Sequence, residues 1–301
     1  MSATTAVPGA KDAPNPRATP QLSKPNDTGR GRSNWEDIGF WILATFFAVV
    51  LLLPLYVLFK VSVSTLAEAT APRPSYLINN VSWDNWNRLL DWEIIGPPLR
   101  HSLTVAFGTA IIAILIAAPA AYVISRLPRG VRYATVLGLL FTRMFPEVII
   151  ATPIASNFFS WGLNDTDLGL ILAHLIRTLP LVAWVLVGTF EVIPRDLEEA
   201  SAVDGNGRIG TLFKVVLPLA LPGIAVAGIF AWLDSWNDLL YAIYLFLTEQ
   251  TLPLITYYYA NRGNVTDVAT FSIILTIPVI LLTLVLQRWI RSGYMSGAVK
   301  G

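Results

Sequence analysis

The chain has 301 residues, 54% of them hydrophobic and only 14% charged, with 21 Lys and Arg balanced against 20 Asp and Glu. Soluble domains carry roughly 25% charged residues, so there is too little polar surface to coat a water-soluble globule, and a net charge of +1 excludes the basic field of a nucleic-acid binder. The lack of Cys, with His101 and His174 as the only imidazoles, excludes disulfides, thiolate metal sites, a cysteine nucleophile and a His-rich metal cage.

Residues 1–34 are rich in Pro, Ser, Thr, Ala and Gly without an apolar period, which predicts a disordered tail. Six apolar blocks follow, near Gly39–Val63, Ser102–Ser125, Tyr133–Phe159, Leu168–Ile193, Leu219–Leu247 and Val268–Ile290. Each can cross roughly 30 Å of hydrocarbon at about 1.5 Å per residue. None shows the alternation of a barrel wall, so helices are expected. The first block lies behind a long polar leader and exceeds a secretory h-region, which marks it as a retained anchor. The expected fold is therefore an all-α membrane protein, with six transmembrane helices in one domain over residues 35–301. Pro54, Pro119, Pro146, Pro180, Pro222 and Pro278 fall inside the blocks and predict kinked helices around a cavity.

Orientation follows from the basic residues of the connections. One side carries Lys11, Arg17, Lys24, Arg30 and Arg32 in the tail, Arg126, Arg129 and Arg132, then Arg195, Arg208 and Lys214, and finally Arg288, Arg291 and Lys300. The other side carries only Arg73, Arg88, Arg100 and Arg262. Both termini are expected in the cytoplasm. On the outer side, Ser64–Arg100 contains Trp83, Trp86 and Trp92, residues that settle at headgroup level, and a short interfacial helix is expected there.

The connection 194–218 reads as two short helices. Pro194 can open the first, with Asp196, Glu198 and Glu199 at the positive end of its dipole. Gly205 and Gly207 allow positive φ at a bend, and Pro218 ends the second helix beyond Lys214. Glu199-Ala200-Ser201, then Asp204-Gly205, then Leu217-Pro218 twelve residues after that glycine, resembles the EAA loop of ABC importer permeases, with Ser201 in place of the usual Ala. Ser235-Trp236-Asn237-Asp238, the stretch Pro119-Ala-Ala-Tyr122 and the ending Ser296–Gly301 are similar to the second permease subunit of maltose-type carbohydrate importers. The resemblance covers residues 35–301 and implies the type I ABC importer transmembrane fold in a bacterial inner membrane. It further implies a heterodimer with a second permease subunit, two ATPase subunits, and a periplasmic or lipid-anchored solute-binding protein. The cargo would be a carbohydrate, sugar derivative or polyol, imported by alternating access. The loop would be the coupling helix, with Glu198, Glu199, Ala200, Ser201, Asp204, Gly205, Arg208 and Pro218 as ATPase-coupling residues. ATP and Mg would be held by the ATPase subunits, and this chain would bind no cofactor.

Charges inside the blocks need a cavity or a partner, because each costs about 2.5–3.5 kcal/mol at a helix centre. Arg143 and Glu147, four apart, are predicted to neutralise each other on one face. Arg177 and Trp184, seven apart, share a stripe of the fourth span, and His174 reads as a packing residue. On the fifth span, Phe230, Asp234, Asn237, Asp238 and Tyr241 are predicted to share one face, with Trp232 and Trp236 opposite. That face combines acceptors, an amide and aromatic rings, the groups that hold sugars. Arg143, Glu147, Arg177 and Trp184 complete the substrate-path candidates. No nucleophile, metal cluster or Gly-Lys-Ser/Thr loop appears, so no catalysis is expected from this chain. An ion-coupled secondary transporter of a small polar solute is the alternative. It predicts paired repeats, which are not seen, and leaves the loop without a role.

Overall fold

The computed structural model describes residues 34–295; the tail expectation for residues 1–34, save its last residue, and the ending Ser296–Gly301 lie outside them. Every regular element among the described residues is a helix. In chain order these are α1 (Asn34–Ser62), α2 (Leu66–Ala69), α3 (Asp84–Leu89), α4 (Trp92–Arg126) and α5 (Arg129–Thr142). Next come α6 (Glu147–Ser160), α7 (Asp167–Glu191), α8 (Arg195–Val203) and α9 (Arg208–Thr211). The last are α10 (Leu217–Trp236), α11 (Leu240–Leu245), α12 (Leu252–Asn261) and α13 (Val265–Met295). A compact unit begins at Leu52, and the described residues before it, 34–51, fall in a separate unit.

Among the described residues five helices are long and apolar enough to cross a membrane: Ile38–Ser62, Trp92–Arg126, Asp167–Glu191, Arg208–Trp236 and Val265–Val285. The sixth expected span exists only as the pair α5 and α6, bent by 76°. Its break is local chemistry. Pro146 bars the α conformation from the residue before it, so α5 stops at Arg143 and α6 restarts at Glu147, whose carboxylate suits the first turn. The fifth span is also interrupted. α10 ends at Trp236 with Asn237 as its cap, and the Asp238 carboxylate accepts the Tyr241 N–H at 3.1 Å to start α11. The long outer connection is shorter than expected, because Asp91 caps α4 through the Glu93 N–H and Trp92–Arg100 is helical; two short helices, α2 and α3, fill the rest.

The core is the packing of α4, α7 and α10. Their facing positions are small: Ala106, Ala113, Ala117 and Ala121 on α4, Ala173 on α7, and Ala220, Ala227 and Ala231 on α10 are buried. With no net hydrophobic drive between helices in lipid, such residues let backbones approach and gain dispersion contact. Gly223 on α10 is the tightest of these approaches, since a Cβ there would lie 2.2 Å from Thr189 Cγ2 on α7.

At the end of the helices away from α8, the turn before α7 clasps the segment before α12. Asp165, at φ 52°, accepts the N–H groups of Leu247, Thr248 and Glu249 at 2.7, 2.9 and 3.2 Å. Burial pushes this carboxyl up, but the backbone N–H groups of Thr248, Glu249 and Leu247 outweigh it and hold the group below the ordinary carboxylate value. His101 on α4 joins the clasp, its Nδ1 2.6 Å from Asp167 and its Nε2 3.0 Å from Glu249.

Two outcomes follow from these contacts. Gly223→Ala, which forces α10 away from α7, is expected to destabilise the folded chain by about 1–3 kcal/mol, read as a lower Tm in detergent; an unchanged Tm contradicts the close approach. A carboxyl lowered in the folded state stabilises above its unfolded pKa and loses that contribution as the pH falls through the folded value. Asp165→Asn should therefore be less stable than wild type at pH 7, with the two converging below about pH 4, in thermal melts across that range.

Candidate functional site

The two breaks meet against the unbroken α7. Arg177 lies about ten residues, roughly 15 Å, along α7 from its start. Its guanidinium donates through Nε and Nη2 to Asp234 Oδ1 at 3.1 and 2.7 Å, and through Nη1 to Glu147 Oε2 at 3.0 Å. The Thr178 hydroxyl donates to the other Asp234 oxygen at 2.9 Å. Asp238 Oδ1 stands 3.6 Å from Arg177 Nη1, and its Oδ2 is 3.1 Å from His174 Nε2, near but off hydrogen-bond alignment. His174 Nδ1 is 2.7 Å from the Ser235 hydroxyl. His174 thus belongs to the polar cluster as well as to the packing.

The predicted pairing of Arg143 with Glu147 is not formed. The break puts them at the end of one helix and the start of the next, so they no longer share a helical face. Glu147 is taken by Arg177, and Arg143 Nη2 reaches Asp234 Oδ1 at 3.4 Å. A cavity of about 180 Å³ opens here, lined by Thr142, Arg143, Phe145, Glu147, Arg177 and Tyr241. Asp234 is saturated, whereas Arg143 donates one long bond of its five possible N–H contacts and Glu147 keeps one oxygen free among the described residues. The arrangement offers donors and acceptors to a polyhydroxylated ligand. Among the described residues no group of three or more metal-ligating side chains converges.

The predicted single face of the fifth span is also corrected. Helical periodicity ends with α10, so Asn237 turns its amide back onto the Leu233 carbonyl at 2.8 Å and stays exposed, as does Phe230. Asp234, Asp238 and Tyr241 do come together, by way of the turn. Trp232 and Trp236 are buried and stacked at 4.6 Å, which makes them packing residues. Trp184 lies two turns along α7 from Arg177, half-exposed in a second cavity of about 730 Å³ between α5 and α7, with Tyr133, Leu137, Leu140, Gly188 and Glu191. Sequence reasoning missed Thr178 and Ser235, each adjacent in the chain to a charge that it or its neighbour partners.

The connection 194–218 forms the expected bend with changes in detail. Pro194 caps α8, and Gly205 follows at φ +85°. Gly207 instead caps α9 at φ −73°, an ordinary value for any residue. Pro218 does not stop the second helix. A π-helical turn over Leu212–Val216 joins α9 to α10, its wider turn absorbing the proline that lacks an N–H. Glu199, Ala200, Asp204, Gly205, Arg208 and Pro218 are exposed, while Ser201 is buried, its hydroxyl 3.1 Å from that of Thr211, where only a small residue fits. Glu198 points inward to α4. The surface also carries Val203, Ile209 and Phe213 at 88%, 75% and 64% exposure, an apolar patch without periodicity to reveal it in the sequence.

The cluster around Arg177 makes its own prediction. Removing one partner of a buried ion pair strands the other, at about 3–5 kcal/mol. Arg177→Met should therefore cost more Tm than the double variant Arg177→Met/Asp234→Leu, measured by thermal unfolding in detergent. Equal or additive losses would show that the pair is not coupled.

Comparison with known proteins places this geometry. Residues 110–294 match the family of binding-protein-dependent transport system inner membrane components. The chain is 32% identical over 269 residues to the trehalose transport system permease protein SugB of Mycobacterium tuberculosis, covering 87% of this chain and 97% of that protein. It is 30% identical over 226 residues to the trehalose/maltose transport system permease protein MalG of Thermococcus litoralis, covering 72% and 81%. Among solved structures, a bacterial ABC transporter that imports the acidic polysaccharide alginate superposes with a TM-score of 0.68 at 24% identity, covering 85% of this chain and 96% of that one. The methionine transporter MetNI in inward-facing form gives 0.53 at 21% identity, covering 65% and 94%. The match over residues 110–294, with 32% identity to a relative covered almost end to end, shows the family: the chain belongs to the binding-protein-dependent transport system inner membrane components.

Proposed function

We propose that this chain is one permease subunit of an ATP-driven importer that carries a carbohydrate, sugar derivative or polyol into the cytoplasm by alternating access. The observation that carries the reading is the connection 194–218. It exposes Glu199, Asp204, Arg208 and the apolar Val203, Ile209 and Phe213 around a glycine at φ +85°, a mixed apolar and charged surface suited to docking on a partner. The partner is an ATPase subunit, one of two, each seated under one permease subunit of a heterodimer. ATP and Mg are held by those subunits and not by this chain. A periplasmic or lipid-anchored binding protein delivers the cargo, and the termini face the cytoplasm on the side of the basic connections.

Within this chain the path runs along α7. It begins at the cavity beside Arg143, Glu147, Arg177 and Tyr241 and continues between α5 and α7 to Trp184 in the larger cavity beside Glu191, near α8. Sugars suit such a lining, because hydroxyls pair with the charged and phenolic groups while ring C–H faces pack on Trp184 and Tyr133. Carbohydrate cargo is also the cargo in the names of the trehalose and trehalose/maltose relatives.

Gly205→Val tests the reading. Beyond its two chain neighbours, no atom of the described residues lies within 4 Å of a Cβ at Gly205, so the variant's cost is backbone strain of about 1–2 kcal/mol and a clash with whatever docks there. The variant should insert normally but lose most substrate-stimulated ATP hydrolysis in the complex copurified with its ATPase, assayed in liposomes with trehalose and maltose as probes. Wild-type stimulation in an assembled Gly205→Val complex contradicts the docking surface.

A further inference from the structure

One acidic side chain of α8 does not face the docking surface. The Tyr122 hydroxyl donates to Glu198 Oε2 at 2.7 Å, and the other Glu198 oxygen pairs with Arg126. Arg126 in turn donates to the carbonyls of Phe190 at 3.0 Å and Ile193 at 3.4 Å, the last residues of α7 and its exit turn. Tyr122 and Arg126 stand four apart on α4, with the guanidinium 5.5 Å from the Tyr122 ring and that ring edge-on to Phe190 at 5.9 Å. Arg195, at the start of α8, donates back to the Arg126 carbonyl at 3.0 Å. The Arg126 and Glu198 side chains are only 17% and 18% exposed.

We propose that Glu198, held by Tyr122 and Arg126, is a positioning residue that locks α8 to the ends of α4 and α7, so that the three move as one rigid body when the docked partner pushes on α8. The assignment rests on the coupling-loop reading and gives Glu198 a different role from its exposed neighbour Glu199. The geometry separates the two. Glu199, Asp204 and Val203 face outward and meet the partner. Without the latch, α8 keeps the backbone links Val192–Pro194 and Asp204–Gly207, the Ser201–Thr211 hydroxyl contact to α9 and one bond from Arg195 to the Arg126 carbonyl, none of which fixes the inward face of α8 against the end of α4 by a buried charge. The latch supplies three non-covalent anchors at one point: a hydroxyl bond to α4, an ion pair to α4, and, through the same guanidinium, two carbonyls at the end of α7. Because Arg126 also donates to the end of α7, loss of Glu198 loosens α8 while leaving the α4–α7 contact in place.

The experiment uses the complete complex with its partner subunits, made free of cysteine; this chain already has none. Spin labels are placed at Asp196 on α8 and Thr104 on α4, both exposed, and the distance distribution is measured without nucleotide and after trapping with ATP and vanadate. In the otherwise wild-type chain the distribution should keep its centre and width in both states. In Glu198→Ala it should broaden and shift on trapping, with fewer probe sugar molecules, trehalose or maltose, imported per ATP hydrolysed. Glu198→Gln, which keeps a bond to Tyr122, should restore part of the rigidity. If Glu198→Ala fails to assemble, Tyr122→Phe carries the same test with a smaller broadening. Distributions in the variants that match wild type in both states overturn the latch, as does a wild-type distance that itself changes on trapping. A wild-type chain that copurifies with no ATPase sinks the coupling-loop reading instead, a result distinct from the latch's own failure.

Discussion

The ion pair between Arg177 and Asp234 is the constraint around which the membrane part is arranged. A charge at the centre of a span costs about 2.5–3.5 kcal/mol on insertion scales, and α7 and α10 each carry one at their packed faces. Two donations from Arg177 and a long one from Arg143 to one oxygen, with the Thr178 hydroxyl on the second, satisfy Asp234. The pair thereby fixes the rotation of α7 against α10. Small residues at the remaining contacts, such as Ala173, Ala227 and Ala231, let the backbones close to the distance that the pair demands.

The same pair explains why two spans can be broken. Backbone groups freed by a helix break are tolerated at membrane depth only where protein or water satisfies them. Glu147 starts α6 under Arg177, and Asp238 starts α11 beside Arg177 and His174. Each break is therefore anchored to the unbroken α7 by the side chain that follows it. The connection 194–218 is held differently: α8 is pinned to α4 by Glu198, Tyr122 and Arg126, and the same guanidinium donates to the end of α7.

Much of this was legible from composition and spacing. Hydropathy located the five helices long enough to cross a membrane and the bent pair α5–α6, and the glycine at 205 located the bend of the connection 194–218, because length, apolarity and glycine chemistry are local properties. Periodicity misplaced what lay across a break. Arg143 and Glu147 looked like a helical pair because their spacing is four, yet Pro146 between them forces the chain out of the helix. Grouping Asn237 with Asp234 assumes that α10 continues, whereas α10 ends at Trp236 and the Asp238 carboxylate takes the Tyr241 N–H in the next helix. Glu198 looked like a partner-facing acid because it neighbours Glu199. Its inward turn depends on where the end of α4 lies, which no local rule states. The Gly207 expectation failed for a simpler reason: after Gly205 has made the bend, the next glycine needs only an extended cap.

The central claim, a path along the Arg177 stripe of α7 between α5 and α7, can be tested by solvent access. Because the chain has no cysteine, a single cysteine at Trp184 or Gly188 reports on its own position. The control is Leu172 on the opposite side of α7, which is partly exposed on the chain. In the assembled complex in proteoliposomes, a membrane-impermeant thiol reagent added from the ATPase side should modify Trp184→Cys and Gly188→Cys in the nucleotide-free state. It should modify them far more slowly after vanadate trapping, and spare Leu172→Cys throughout. Equal reactivity at all three positions, or protection of Trp184→Cys and Gly188→Cys in every state, would contradict a water-filled path on this face.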